Sequence, residues 1–170
     1  NYGQYMYSWQ ATYFDGILVS KVSFTDFLKA KYLLFTLVST TAFILTLPYV
    51  YFGWRTVLIH FVMYLWNLGV NTTIILFFAN RNSKRIDLSK GATFNWEGVG
   101  VTQLLLSVPL MLTPYVIYVP LKLLIGANAG LVALAVTGLI GIFSRNYWIK
   151  WLTADFYNRK FEIAEGFRDK

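Results

Sequence analysis

Few residues of this chain combine a reactive or polar side chain with a setting where it would matter. His60, Asn67 and Asn71 lie in a long apolar run, residues 57–79. In hydrocarbon a side chain that titrates or hydrogen-bonds is costly unless it finds a partner. Asn67 and Asn71 are four apart, so they share one helix face, with Gly69 nearby. A polar joint to another helix is the first expectation; contact with a substrate in a water-filled path is the second. His60 has no second His and no carboxylate in its own run, so a hydrogen bond to a neighbouring helix comes before any functional role. Elsewhere the familiar reactive patterns are missing: no G-x-x-x-x-G-K-[ST], no H-E-x-x-H, no G-x-S-x-G and no acidic metal cluster. Cysteine is absent, which excludes disulfides, thiolate metal sites and cysteine nucleophiles.

The 170 residues are 56% hydrophobic, 19% aromatic and 14% charged, with a mean hydropathy of +0.50. Soluble domains carry about 25% charged residues. The balance excludes disorder and argues against an ordinary soluble enzyme. The chain begins at Asn1 with no charged n-region or cleavage site before its first apolar segment, so it is expected to be a fragment whose upstream portion is missing.

A membrane helix needs about 20 mostly apolar residues. Four stretches qualify, about 33–52, 57–79, 101–123 and 126–144, and none contains Asp or Glu. They lack the polar stripe of a soluble bundle and exceed ordinary strand lengths. Basic residues then orient the bundle. Lys21, Lys29 and Lys31 precede the first span. Arg81, Lys84, Arg85 and Lys90 separate the second and third. Arg145, Lys150, Arg159, Lys160, Arg168 and Lys170 follow the fourth. The other side holds only Arg55 and Lys122. The positive-inside rule places the first side in the cytoplasm. The expected fold is therefore all-α: a polytopic transmembrane helical bundle with four spans and both ends cytoplasmic. The far connections, near 53–56 and 125–128, allow only tight hairpins. Residues 1–32, the loop 80–100 and the basic tail 145–170 form the cytoplasmic material.

Ser23-Phe24-Thr25-Asp26 resembles a capping box with Asp replacing Glu. Phe24, Phe27, Leu28 and Lys31 then follow at i, i+3, i+4 and i+7, which describes either a plain amphipathic lead-in to a span or a docking helix. In the loop 80–100, Phe94 and Trp96 interleave with the basic residues. Beside two spans this favours anionic lipid headgroups, with Trp96 at the interface, over nucleic acid. The tail places Trp148, Trp151, Leu152, Phe156 and Ile163 on a broad apolar face, with Trp148 and Trp151 as interface anchors. Pro109, Pro114 and Pro120 are expected to kink or interrupt the third span. Gly126 and Gly130, with Ala129 and Ala133, suggest close packing at the start of the fourth.

Residues 13–34, YFDGILVSKVSFTDFLKAKYLL, resemble the segment joining the second and third membrane helices of type 2 ABC exporter permeases. That segment commonly carries an acidic residue and Gly, a Leu, a short basic or polar turn, and a Lys opening the next span; Asp15, Gly16, Leu18 and Lys31 match. Residues 84–98, KRIDLSKGATFNWEG, and 157–168, YNRKFEIAEGFR, more specifically resemble an uncharacterised Bacteroidetes membrane-protein family that is itself ABC-permease-like. The resemblance implies a permease of the bacterial inner membrane that works by alternating access. Its ATPase-coupling residues would be Asp15, Gly16, Leu18, Phe24, Phe27 and Lys31. It would bind no cofactor or metal itself, ATP being held by a separate ABC ATPase subunit, and a permease dimer is compatible with it. On this reading the chain is not an enzyme, the spans are helices three to six of a six-helix unit, and the loop 80–100 makes a second ATPase contact. The absence of carboxylates in the spans agrees with energy supplied by a partner. The alternative is a non-transporting scaffold or anchor that recruits a cytoplasmic partner, with a membrane-embedded enzyme third.

Overall fold

A computed structural model describes residues 6–19, 23–83 and 101–168, and every regular element among them is helical. A 3-10 turn, Ser8–Tyr13, leads into the short helix α1, Phe14–Val19. Helix α2, Phe24–Thr46, continues as a 3-10 turn over Leu47–Phe52. Helix α3, Trp54–Trp66, passes through a π-helical turn, Asn67–Asn71, into α4, Thr72–Ala79. Then come α5, Val101–Leu124, α6, Ala127–Phe143, and α7, Arg145–Arg168.

Three of these rods are long and apolar enough to cross a membrane: Phe24–Phe52, Trp54–Ala79 and Ser107–Leu124. The fourth candidate is α6, whose 17 residues give a length of about 25 Å, joined to α7 at a bend of 64°. The hairpin turns fall where expected, at Gly53 (φ 111°) and Gly126 (φ 131°). Both need the left-handed region, which glycine enters without steric cost. Pro48 explains why α2 tightens before its turn, because it offers no N–H to continue the α-helical ladder.

The amphipathic lead-in runs into the first span without a break: α2 is continuous from Phe24. Polarity changes near residue 32, but nothing there stops the helix. Ser23 does sit at the N-cap, yet its side chain makes no capping bond; its carbonyl accepts from the Asp26 and Phe27 N–H groups, and Asp26 pairs with Lys29 at 3.1 Å. Nor do Pro109, Pro114 and Pro120 interrupt α5, which stays helical throughout. The Thr113 hydroxyl donates to the Pro109 carbonyl at 2.7 Å.

Within the spans the closest approach joins α6 to the α3–α4 rod. Gly138 lies against the backbone of Leu65 and Trp66, Gly69 against the Gly138 carbonyl, and Gly141 against the Gly69 carbonyl. Gly130 instead admits the ring of Tyr118 from α5. Small residues allow such backbone contact where no hydrophobic driving force operates between helices. By contrast α2 and α5 carry rows of exposed large apolar residues, among them Leu37, Val38, Leu112 and Val116. A second, aromatic-rich core lies at one end of the bundle, built from the N-terminal segment, α1, the start of α2, the end of α4 and α7.

A Cβ on Gly138 would lie 2.6 Å from the Leu65 carbonyl carbon, whereas one on Gly16 would meet nothing within 4 Å. Gly138→Ala is therefore expected to destabilise the protein by roughly 1–3 kcal/mol. Gly16→Ala should be neutral or stabilising by up to about 1 kcal/mol. Thermal unfolding of the two variants in detergent checks both.

Candidate functional site

The aromatic end of the bundle is organised around Tyr7. Its ring is 1% exposed and packs against Phe14, Phe24, Phe27 and Phe156 at centroid distances of 5.6–6.2 Å. Phe24 lies face to face with Phe156, 3.4 Å between centroids and 6° from parallel, and Phe14 meets Phe167 edge-on at 5.1 Å. These rings come from the N-terminal segment, α1, α2 and α7, so burying them fastens four pieces of chain together.

A polar relay runs through this core. The Tyr7 hydroxyl donates to Asn80 Oδ1 at 2.8 Å. Asn80 Nδ2 donates to the Leu152 carbonyl and to Asp155 Oδ2, both at 3.0 Å. Arg81 grips Asp155 with two bonds, 3.1 and 3.2 Å, and donates to the Phe77 carbonyl at 2.9 Å. Its guanidinium sits 3.4 Å from the centre of the Phe77 ring, which stacks on Trp151. Arg159 approaches Asp155 from the next turn at 3.6 Å. The relay locks the end of α4 to α7 and to the N-terminal segment. Arg81 thus serves an internal ion pair, although the sequence grouped it with lipid-facing cations.

The residues assigned to ATPase coupling divide into two sets. Phe24 is buried, and Phe27 and Leu18 pack against the same core. Lys31 is half-buried, its Nζ 5.1 Å from the Phe27 ring centre. Asp15 and Gly16 face outward from α1, flanked by Tyr13 and Val19, which are 75% and 85% exposed. Asp15 is tied to Arg168 at 2.7 Å, so the outer surface of α1 is continuous with the end of α7.

Trp148 and Trp151 separate likewise. Trp148 is buried: its Nε1 donates to the Gly141 carbonyl at 2.9 Å, and its ring meets Tyr32 edge-on. It braces the α6–α7 bend from inside the protein. Trp151 is half-exposed on Phe77. Trp96 lies outside the described residues.

In the spans, Asn67 and Asn71 are brought together with Ser39 and Trp66. Asn67 Nδ2 donates to Ser39 Oγ at 2.9 Å, Asn71 Nδ2 to Asn67 Oδ1 at 3.3 Å, and Trp66 Nε1 to Asn71 Oδ1 at 3.1 Å. The wide turn that holds them has its own support, because the Thr72 hydroxyl donates to the Asn67 carbonyl and the Thr73 hydroxyl to that of Gly69. The four-residue spacing announced the Asn pair; nothing local announced Ser39 or the π turn. His60 stands apart, its ring 5.7 Å from that of Tyr49. Among the described residues no group of three or more His, Cys, Asp and Glu side chains could hold a metal ion.

A family model matches residues 1–170 along the whole chain. The chain belongs to the DUF5687 family. That family is described as one of unknown function. No curated protein and no solved structure matches the chain. The Tyr7-centred core, the outward face of α1 and the paired asparagines are accordingly what this DUF5687 member offers as functional candidates.

Burial, and secondarily the Asp155 carboxylate, raise the Tyr7 pKa well above its ordinary value near 10. The folded protein therefore holds this proton more tightly than the unfolded chain. The resulting stability is complete below about pH 10 and is lost as the pH rises beyond it. Tyr7→Phe is expected to lower stability by about 1 kcal/mol at neutral pH by removing the bond to Asn80. The variant should also lose part of the alkaline destabilisation. Unfolding measured in detergent at about pH 8 and about pH 11 checks both effects.

Proposed function

We propose that this DUF5687 chain is the membrane-embedded permease part of an ABC-type exporter in the bacterial inner membrane. Its aromatic end faces the cytoplasm and docks a separate ATPase subunit. The observation that carries the reading is the two-sided character of α1. One side is fixed, with Phe14 sealed among Tyr7, Phe156 and Phe167. The other side offers Tyr13, Asp15, Gly16 and Val19 to a partner. A short segment held rigidly from behind and open in front can receive a push without folding away from it.

The push has two routes into the membrane. Because α2 is continuous from Phe24 to Thr46, moving its base tilts the whole first span. Because Phe24 is stacked on Phe156, the same displacement loads α7, and the Trp148–Gly141 bond carries it across the bend to α6. Alternating access follows if ATP binding and hydrolysis on the partner switch these helices between two packings. The spans contribute no carboxylate of the kind that proton- or sodium-coupled transport uses.

The second reading, a non-transporting scaffold that recruits a cytoplasmic partner, draws support from the spans. Asn67 and Asn71 spend their amides on each other, Ser39 and Trp66.

Co-purification with a candidate ATPase, with its hydrolysis rate in membranes, separates the readings. Asp15→Lys and Val19→Asp alter exposed positions, and the Asp15–Arg168 pair is worth only ~0–1 kcal/mol. Both variants should keep the parent melting temperature while co-purification falls about tenfold or more. Unchanged association and unchanged hydrolysis would refute docking through α1. Association that depends on α1 but leaves hydrolysis unstimulated would favour the scaffold.

A further inference from the structure

A groove of about 450 Å³ runs between α3 and α5, with α6 as its floor. Ile59 and Met63 form one wall and Met111, Tyr115 and Tyr118 the other, and the buried Leu131 and Leu134 close the bottom. Its size lies within the ordinary range for small-ligand sites, about 300–1,000 Å³. The lining is apolar apart from the tyrosine hydroxyls, which suits an apolar occupant between helices long and apolar enough to cross a membrane.

Each wall ends in a cation. On α3, Arg55, Ile59 and Met63 fall at i, i+4 and i+8, one continuous stripe. On α5, Met111, Tyr115, Tyr118 and Lys122 fall at i, i+4, i+7 and i+11. Lys122 Nζ lies 5.9 Å from the centre of the Tyr118 ring, one of the groove's lining residues. Arg55 starts α3 and Lys122 ends α5, so both stand at the hairpin end of the bundle, opposite the Tyr7 core. They are the same two cations that the charge count left alone on that side. Arg55 also sits in the first turn of its helix, where the backbone dipole favours an anion. From Met111 to Lys122 the stripe is about 16 Å long, half of a hydrocarbon core about 30 Å thick.

From this arrangement we infer that the groove is a binding site for an anionic phospholipid of the adjacent leaflet. Arg55 and Lys122 hold the phosphate, and one acyl chain lies along Tyr118, Tyr115 and Met111 over the α6 floor. The depth matches one leaflet, and the charges match the headgroup at the height where it resides. The site does not depend on the transport reading and lies at the opposite end from the docking face.

The test uses the full chain in phosphatidylcholine vesicles containing a minor fraction of phosphatidylglycerol that carries a photoreactive diazirine within one acyl chain. A diazirine phosphatidylcholine serves as the comparison, and adducts are mapped by mass spectrometry. The site predicts adducts concentrated on Met63, Met111 and Tyr115, with phosphatidylglycerol favoured by about fivefold or more per cation engaged. In Arg55→Gln/Lys122→Gln, both exchanges lying at the groove mouth, the headgroup preference should fall to about one with the circular dichroism spectrum unchanged. Adducts spread equally over the outward row of α2 at Leu37 and Val38 would overturn the site. So would a headgroup preference that survives the double exchange, or cross-links from the groove to a second copy of the chain in place of lipid.

Discussion

Asn80 and Asp155 join parts of the chain that are more than 70 residues apart, and the architecture of the aromatic end depends on that junction. Each of the four groups involved would be costly if buried alone: a phenol, an amide, a carboxylate and a guanidinium. Together they satisfy one another, and the Leu152 and Phe77 carbonyls take the remaining donors. The surrounding rings bury Tyr7 and Asn80, which strengthens the bonds at that end of the relay and makes a missing partner there expensive, while the Arg81–Asp155 pair is partly exposed. That is why the N-terminal segment, with little apolar length of its own, can be held against α7.

Inside the spans a different constraint governs. Hydrocarbon gives no reward for bringing apolar side chains together, so contact there needs either close backbone approach or polar bonds. Gly69, Gly138 and Gly141 supply the first, and the Ser39–Asn67–Asn71–Trp66 chain supplies the second. Both act on the same stretch of the α3–α4 rod, where the π turn sits. A π turn frees backbone groups that must be satisfied in place, and the Thr72 and Thr73 hydroxyls meet that need. Between them, the glycines bind α6 and the asparagines bind α2 to one central rod.

What could be read in the sequence was what one dimension records. Apolar length identified the spans, and the short connections near 53–56 and 125–128 marked the turns that fall at Gly53 and Gly126. The four-residue spacing of Asn67 and Asn71 put them on one face. Features that depend on a distant partner were hidden. Trp148 and Trp151 lie on the same amphipathic stretch, yet one is sealed against Gly141 and Tyr32 while the other is half-exposed on Phe77. Composition cannot separate a lipid anchor from a core residue when the covering element lies a hundred residues away. The glycine contacts are similar: of Gly126 and Gly130 only Gly130 packs closely, against Tyr118, and the approach of Gly138 and Gly141 to the α3–α4 rod had no signal in the sequence. The change from apolar span to basic tail at 144/145 was legible, but the 64° bend that accompanies it was not, because helix resumes at once on the far side. Asp15 and Leu18 illustrate the same limit within one motif: both match the linear pattern, yet Asp15 is exposed and Leu18 packs against the core.

The account turns on orientation: the Tyr7 core and the outer face of α1 must lie in the cytoplasm, and the turn between α2 and α3 outside. The chain contains no cysteine, so a single introduced thiol reports one position without background. Tyr51→Cys at the hairpin end and Phe161→Cys on α7 both lie at exposed sites, 89% and 72% accessible. In intact cells a membrane-impermeant maleimide should label Tyr51→Cys at once and Phe161→Cys only after the membrane is opened. Labelling of Phe161→Cys from outside, with Tyr51→Cys protected, would contradict the account.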